Sequence, residues 1–254
     1  MKKTWNASQY ASHSKGQARW AHELIEKMAL KGNESILDIG CGDGKITDAL
    51  SRLTNAEVIG IDQSLDMIRY AQKAFQTPHF EQMDAQSLRF YERFDVVFSN
   101  AALHWVKDHK AVLEGIYKAL KPKGKAILQM GGEGNGEKVF EALSNILTAY
   151  EGSVEAHEMP YTFHSDKTYE TLLSTMNFSQ YQVCLVQKDM VHENVQAFQG
   201  WLETAWFPFI NVVADERRAA FVQDWIAAYL KLCPLDEKAQ VHVLMCRLEV
   251  ELIK

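Results

Sequence analysis

The stretch Ser35-Ile36-Leu37-Asp38-Ile39-Gly40-Cys41-Gly42-Asp43-Gly44 holds the residues best suited to chemistry. An apolar run is followed by glycines at alternate positions, and an acid, Asp38, stands two residues before the first of them. Glycine at Gly40, Gly42 and Gly44 tolerates positive φ and lets a ligand approach the backbone without meeting a Cβ. A helix starting near Asp43 would aim its free N–H groups at the same ligand. The spacing departs from the dinucleotide fingerprint G-x-G-x-x-G, whose third glycine would fall at Lys45. A pyrophosphate would also be poorly served by a carboxylate as near as Asp38. A ligand carrying an ammonium or a sulfonium would be well served.

Other polar residues close later apolar runs. Asp62 ends the run Glu57-Val58-Ile59-Gly60-Ile61. It lies about twenty residues beyond the glycines, where an acid accepts hydrogen bonds from ribose hydroxyls. Asp84 is placed to accept from an adenine amino group, with the N–H of Ala85 offered to the ring. Gln63 and Met67 would wall an adenosine, although Met67, at helical spacing, reads equally as core. Asn100-Ala101-Ala102-Leu103-His104-Trp105 would face the reactive end. Trp105 is either a flat wall that holds a sulfonium by cation–π attraction or a core tryptophan. His104 is a general base, a hydrogen-bond partner of the substrate, or structural. These residues predict S-adenosylmethionine (SAM) as cofactor, S-adenosylhomocysteine (SAH) as its product, and no metal. The expected cofactor contacts are Asp38, Gly40, Cys41, Gly42, Gly44, Asp62, Gln63, Met67, Asp84, Ala85, Asn100 and Ala101.

Bringing them together requires parallel strands. The pattern predicts strands at 35–39, 57–61, 79–83, 94–99 and 125–130, with Lys121-Pro122-Lys123-Gly124 as a turn. Helices fall between them: 17–30, one with Ile46, Ala49, Leu50 and Leu53 inward, one capped by Ser64 with Met67, Ile68, Ala71 and Phe75 inward, and 108–120. Such alternation predicts an α/β fold: a Rossmann-like, mostly parallel seven-stranded sheet with helices on both faces, an antiparallel last strand and a helical cap. The glycine turn, Asp62, Asp84 and Asn100 then share the carboxyl edge, which is the ligand crevice of open α/β sheets. Further on, helices are expected at 139–150, 169–176, 194–207 and 215–232, and a strand at 181–191. The closing strand, 240–253, alternates Val241, Val243 and Met245, then skips a step to Leu248, Val250 and Leu252. A bulge or a late entry into the sheet would account for the skip. The chain divides into a lid segment and helix (1–30), a SAM-binding core (31–135) and the remaining strands with an inserted helical cap (136–254), one structural domain overall.

At 254 residues, 47% of them hydrophobic, the chain can bury a large core. Its 27 basic residues against 33 acidic ones argue against a broad polyanion partner, so no nucleic acid is expected. Neither an apolar leader nor a run long enough to cross a bilayer stands out. Cys41, Cys184, Cys233 and Cys246 are scattered, as reduced cytoplasmic thiols are, rather than spaced for disulfides or zinc.

With these motifs in place, the chain resembles class I SAM-dependent methyltransferases. Within them it is similar to the carboxyl methyltransferases of small molecules typified by trans-aconitate 2-methyltransferase and the insect juvenile hormone acid methyltransferases. The likeness rests on Trp5-Asn6 with Tyr10 and Gln17, the run 37–44, Gly60-Ile61-Asp62 with Met67-Ile68, Ser99-Asn100-Ala101-Ala102-Leu103-His104-Trp105, Asp108-His109 and Leu120-Lys121-Pro122-Lys123-Gly124. It implies that Tyr10 and Gln17 belong to a lid over the methionine end of the cofactor and that Trp105 meets the substrate. Asn100-Ala101 looks like the aconitate type and Leu103-His104-Trp105 like the hormone-acid type. The aconitate type carries an arginine before its late Pro-aromatic pair, and Ala205-Trp206-Phe207-Pro208-Phe209 does not.

The expected reaction is methyl transfer to the carboxylate of a small organic acid by in-line displacement. A carboxylate is already ionised at pH 7, so His104 and Trp105 would position rather than exchange protons. Trp201, Trp206 and Phe209 read either as a lid over an apolar acceptor or as internal packing between helices. Only Arg247 and the pair Arg217-Arg218 offer themselves to an acidic acceptor, which favours a mono- or dicarboxylic acid. An amine or phenol acceptor, with His104 as base, and a non-catalytic SAM-binding protein are the competing readings.

Overall fold

In a computed structural model, residues 15–150 and 159–254 are described. β1 (Ile36–Ile39) is buried at every position, as a strand is at the centre of a sheet covered on both faces. It lies between β2 (Val58–Asp62) and β4 (Phe94–Asn100), both parallel to it, with Asp38 opposite Gly60 and Phe98. β3 (His79–Gln82) joins outside β2 and β5 (Leu120–Gly131) outside β4, again parallel. β7 (Val241–Ile253) runs antiparallel to β5, and β6 (Gln180–His192) is the last strand of the order β3-β2-β1-β4-β5-β7-β6. The mostly parallel seven-stranded sheet expected from the sequence is therefore present.

Period-two alternation sends Ile36, Val58, Val96, Phe98 and Ile127 to one face. There they meet Ala21, Leu24, Ile25 and Met28 of α1 (Lys15–Met28) and Leu50 of α2 (Lys45–Ser51). Leu37, Ile39, Ile59, Ile61 and Val97 go to the other face, against Val112, Leu113 and Ile116 of α4 (His109–Ala119). Burying each such side chain stabilises by about 1.5–3 kcal/mol. α3 (Leu65–Ala74) follows β2, and Ser64 caps it as expected by accepting from the Met67 N–H. Asp108 caps α4 in the same way, accepting from the Ala111 N–H.

Two local expectations are modified and a third, late entry of the closing strand, is met. α2 begins at Lys45 rather than near Asp43, because Gly44, at φ 83°, still belongs to the turn. The segment 121–124 is enclosed in β5 rather than separating two elements. Phe94 pairs with Leu120 and Val96 already with Lys125, so the intervening residues bulge out of the ladder, and Lys123 takes φ 65°. In β7, pairing with β5 begins only at Arg247 and runs unshifted to Ile253. Val241, Val243 and Met245 are buried while Leu244 is exposed; from Leu248 onward the opposite residues, Leu248, Val250 and Leu252, enter the main core. The skipped step is thus a change of buried face at the point of entry into the sheet.

The chain forms two compact units, one of Gln17–Glu133, Tyr161–Val186 and Arg247–Lys254, the other including Gly134–Pro160 and Gln187–Cys246. The first holds β1 to β5, α1 to α4 and α6 (Asp166–Leu173). The second holds α5 (Glu137–Leu147), α7 (Val195–Ala205), α8 (Phe207–Ile210) and α9 (Arg218–Leu232). Aromatic rings fill this second unit. Trp225, Phe221 and Tyr229 of α9 are buried with Phe198 of α7, and the Trp225 Nε1–H donates to the Val139 carbonyl at 3.0 Å.

His242 is a clasp in the second unit. Its Nδ1 lies 2.7 Å from Asp189 Oδ2 and its Nε2 3.2 Å from Asp236 Oδ2. Two carboxylates, Asp189 foremost, raise its pKa, so the folded protein favours the imidazolium. A group whose pKa is raised by folding stabilises fully below its unfolded value, about 6.5, and loses that effect as pH rises through the folded value. His242→Gln is expected to lower Tm by about 1–4 °C at pH 6 for these partly exposed pairs, with the deficit disappearing by pH 9. Thermal melts across that range check it; a deficit independent of pH contradicts the clasp.

Candidate active site

The rim is assembled by the turn after β1. Gly40 N–H and Cys41 N–H both donate to the Ile61 carbonyl, at 2.8 and 2.9 Å, which ties the turn to the end of β2. Gly42 N–H donates to Asp62 Oδ2 at 3.0 Å, and Ser64 N–H to Asp62 Oδ1 at 2.8 Å. Asp62 is therefore aimed by two backbone donors, and each of its oxygens keeps a further lone pair for a ligand. Met83 N–H reaches the Asp62 carbonyl at 3.1 Å, which brings Asp84 alongside. Asp84 caps one short turn, Ala85–Ser87, by accepting from the Gln86 N–H. Gln63 offers its carbonyl to Gln82, and Met67 is buried in α3.

Asp38 is 2% exposed and accepts from the Thr47 hydroxyl at 2.7 Å. Burial pushes its carboxyl up to about 7; the Thr47 hydrogen bond opposes this, and the charges of Asp62 and Asp43 add to it. Burial also raises Asp62, against the two backbone hydrogen bonds that favour its ionised form. Burial drives the Cys41 thiol well above its ordinary range, with the three nearby acids reinforcing the effect, so Cys41 stays a thiol. A cation brought to this rim would be welcomed, and the ionised form of Asp38 restored.

Two of the glycines answer to packing as well as to a ligand. A Cβ on Gly40, at φ 75°, would stand 2.1 Å from the Ala102 Cβ. One on Gly44 would stand 2.7 Å from the Ala71 Cβ and 2.9 Å from the Phe80 ring. Ala102 belongs to the loop after β4, so the glycine turn and that loop are in contact. Asn100 is the last residue of β4, opposite Gln129. Ala101 follows at φ 55°, a left-handed conformation costly for a residue with a Cβ, held by its N–H on the Gln129 carbonyl at 2.8 Å.

Leu103, His104 and Trp105 form a single turn. His104 Nδ1 accepts from the Gly131 N–H at 3.4 Å, and its carbonyl accepts from the Thr162 N–H. The Trp105 and Tyr161 rings meet edge-on at 4.7 Å, and Tyr161 stacks on Phe163 at 5.2 Å. Burial, then the Arg247 guanidinium, then His109 hold the His104 pKa well below its usual value. His109 Nδ1 lies 3.2 Å from the Tyr169 hydroxyl, and burial lowers its pKa to about 4.

The turn after β1 and the ends of β2, β3 and β4 are thus brought to one rim. Tyr10 lies outside the described residues, and Gln17 falls in the first turn of α1. Trp201, Trp206 and Phe209 belong to the second unit, with Trp201–Trp206 and Trp206–Phe209 ring centroids 5.8 and 6.1 Å apart. Phe140 and Trp225 also pack on Trp206. Arg217 donates to the Ala149 carbonyl, and Arg218 to the carbonyls of Val213 and Asn211. Thr47, Ala102, Tyr161 and Phe163 had no separate signal in the sequence. Thr47, in the first turn after the glycines, is the one whose position would have pointed to Asp38.

The family described as "Methyltransferase domain" matches residues 37–128. The chain is 30% identical over 211 residues to uncharacterized methyltransferase C70.08c of Schizosaccharomyces pombe, covering 79% of each chain. It is 32% identical over 250 residues to a trans-aconitate 2-methyltransferase of Methylobacterium nodulans, covering 93% of each. The crystal structure of the YcgJ protein of Bacillus subtilis is similar with a TM-score of 0.62 at 19% identity, covering 93% of this chain and 98% of that one, a likeness of fold alone. The groups at the rim fit such a cofactor: buried acids for its positive charge, a carboxylate held by two backbone N–H groups for its sugar and a glycine turn for close approach. With relatives of that identity spanning most of the chain, and this rim beneath them, the protein belongs to the class I SAM-dependent methyltransferases and is an enzyme that uses SAM.

Proposed function

We propose that the enzyme methylates the carboxylate of a small organic acid. The state of His104 carries this reading. Because Nδ1 accepts from the Gly131 N–H, the neutral ring holds its proton on Nε2. Its lowered pKa makes it a poor proton acceptor and leaves it a hydrogen-bond donor. An amine or phenol acceptor gains from a base that takes its proton. A carboxylate needs none and gains from a donor. Relatives named as trans-aconitate 2-methyltransferases support an acidic acceptor.

SAM supplies a methyl group on a sulfonium when bound. In this reading Asp38, steadied by Thr47, faces the cationic part of the cofactor, and Asp62, aimed by Gly42 and Ser64, takes the ribose hydroxyls. Asp84 and Ala85 take the adenine, with Gln63 and Met67 beside it, while Asn100 and Ala101 complete the grip. His104 and Trp105 hold the acceptor oxygen. The Trp105, Tyr161 and Phe163 rings exclude water, so charge is neutralised in dry surroundings. Alignment of this kind contributes up to about 7–11 kcal/mol to lowering a barrier. Arg217 and Arg218 serve backbone carbonyls of their own unit, which supports a mono- or dicarboxylic acid with an apolar body over a tricarboxylate.

At saturating SAM, kcat on a free acid is expected to be flat from pH 6 to 9. His104→Ala should lower kcat/KM by about tenfold or less, the loss of one hydrogen bond, without changing that profile. A limb rising between pH 7 and 9 that disappears in the variant would assign His104 as a base and the acceptor as an amine or phenol.

SAM affinity should depend on Asp38. A cation favours the ionised carboxyl, whose pKa in the free protein is about 7. Below pH 7 binding therefore releases up to one proton, and affinity rises from pH 6 to 8. Calorimetry in two buffers of different ionisation enthalpy measures this. Asp38→Asn should abolish the proton release and weaken SAM by about ten- to a hundredfold; unchanged proton release in that variant would remove Asp38 from the role.

A further inference from the structure

We infer that His109 is a positioning residue for methyl transfer, bracing the turn that carries His104 and Trp105 against the segment that carries Tyr161 and Phe163. The role rests on the reading in which that turn meets the acceptor. His109 opens α4 and is 2% exposed. Just before it, Asp108 is fixed at both ends, by its side chain on the Ala111 N–H and by its own N–H on Gln86 Oε1 at 3.1 Å. Burial, the largest effect, and His164 lower the His109 pKa, while the carbonyls of Leu103 and Val106 act the other way. Those two carbonyls bracket His104 and Trp105, so the turn lies against the His109 ring. The ring also meets His164 edge-on, with centroids 4.5 Å apart. His164 is tied down by the Glu133 N–H on its carbonyl, and two residues earlier the Thr162 N–H is given to the His104 carbonyl. His109 thus stands between the turn and the aromatic segment.

Tyr169, in α6 and fully buried, sets which nitrogen of His109 carries the proton. Its hydroxyl lies 3.2 Å from His109 Nδ1, its one hydrogen-bond partner among the described residues. A buried hydroxyl needs an acceptor for its proton, so the O–H donates and Nδ1 accepts. The neutral ring then keeps its proton on Nε2, which is buried and makes no hydrogen bond of full geometry among the described residues. A buried N–H without an acceptor is costly, so it favours the Leu103 and Val106 carbonyls staying close. After burial and Arg247, His109 is also the third effect that keeps His104 uncharged. His109 acts through the turn, and it neither gives nor takes a proton in the transfer. Its loss would let the turn drift, and misplacement by about 1 Å costs about a hundredfold in rate.

The test is steady-state kinetics on decanoate, phenylacetate and trans-aconitate, with rates expressed per SAM-binding site counted by calorimetry. Tyr169→Phe keeps the ring and removes the hydroxyl. It should lower kcat/KM for the acid by about three- to tenfold, with SAM affinity within threefold of wild type. In His109→Asn, whose amide reaches only the Nδ1 position, the fall should be about ten- to a hundredfold. His109→Gln, whose amide nitrogen reaches the Nε2 position, should recover most of it. His104→Ala and Trp105→Phe, measured alongside, report whether the turn meets the acceptor. If those two leave kcat/KM unchanged, or wild type turns over none of the acids, the underlying reading falls and the inference with it. If they lower it while Tyr169→Phe and His109→Asn keep wild-type constants per site, the inference alone is overturned and His109 is a packing residue. Equal losses in His109→Asn and His109→Gln overturn it by removing the role of Nε2. SAM weakened more than tenfold in Tyr169→Phe overturns it by assigning the brace to the cofactor.

Discussion

Like charges crowded out of water govern this molecule. Asp38, Asp43 and Asp62 lie together at the end of β1 and β2, and the first is pushed up to about 7 chiefly by burial. Desolvated carboxylates side by side oppose ionisation. The fold tolerates them by supplying donors one at a time: the Thr47 hydroxyl for Asp38 and the N–H groups of Gly42 and Ser64 for Asp62. A protein built only for stability would place apolar residues there, since buried ionisable groups seldom stabilise. The arrangement makes sense for an enzyme whose cofactor is a cation.

That electrostatic constraint dictates the geometry around it. The acids can converge only if the chain turns sharply after Ile39, and the turn requires left-handed glycines. The same glycines let Ala102 and Phe80 approach. Replacing Gly40 would harm packing before any ligand arrived, so its presence alone does not distinguish turn former from cofactor contact. Asp62 distinguishes them better, because backbone N–H groups from the turn and from the start of α3 hold its carboxylate at the strand end.

Much of this was legible because the elements are regular. β1, β2 and β4 read as buried runs, Ser64 as a cap, and the polar residues just beyond the strands share one rim. What escaped was non-local. The ring pair Tyr161 and Phe163 sits in a segment without periodicity, drawn in by the Gly132–His164 bridge and the Thr162 hydrogen bond. The bulge in β5 depends on its register with β4. Trp201, Trp206 and Phe209 show a different limit. An aromatic stripe announces burial, but not against what, and these rings pack on one another and on Phe140 and Trp225.

The same limit applies to His104. A histidine beside a tryptophan at a strand end invites a general base, and only the environment decides. Gly131 N–H occupies one nitrogen, burial disfavours the imidazolium, and the Arg247 guanidinium opposes a second positive charge nearby. Each of these effects pushes in one direction, so the ring is fixed as a neutral donor. An acceptor that must shed a proton would find no help from it. In the proposed reading an acceptor already anionic finds a donor beside aromatic walls, and its own charge is consumed as the methyl arrives.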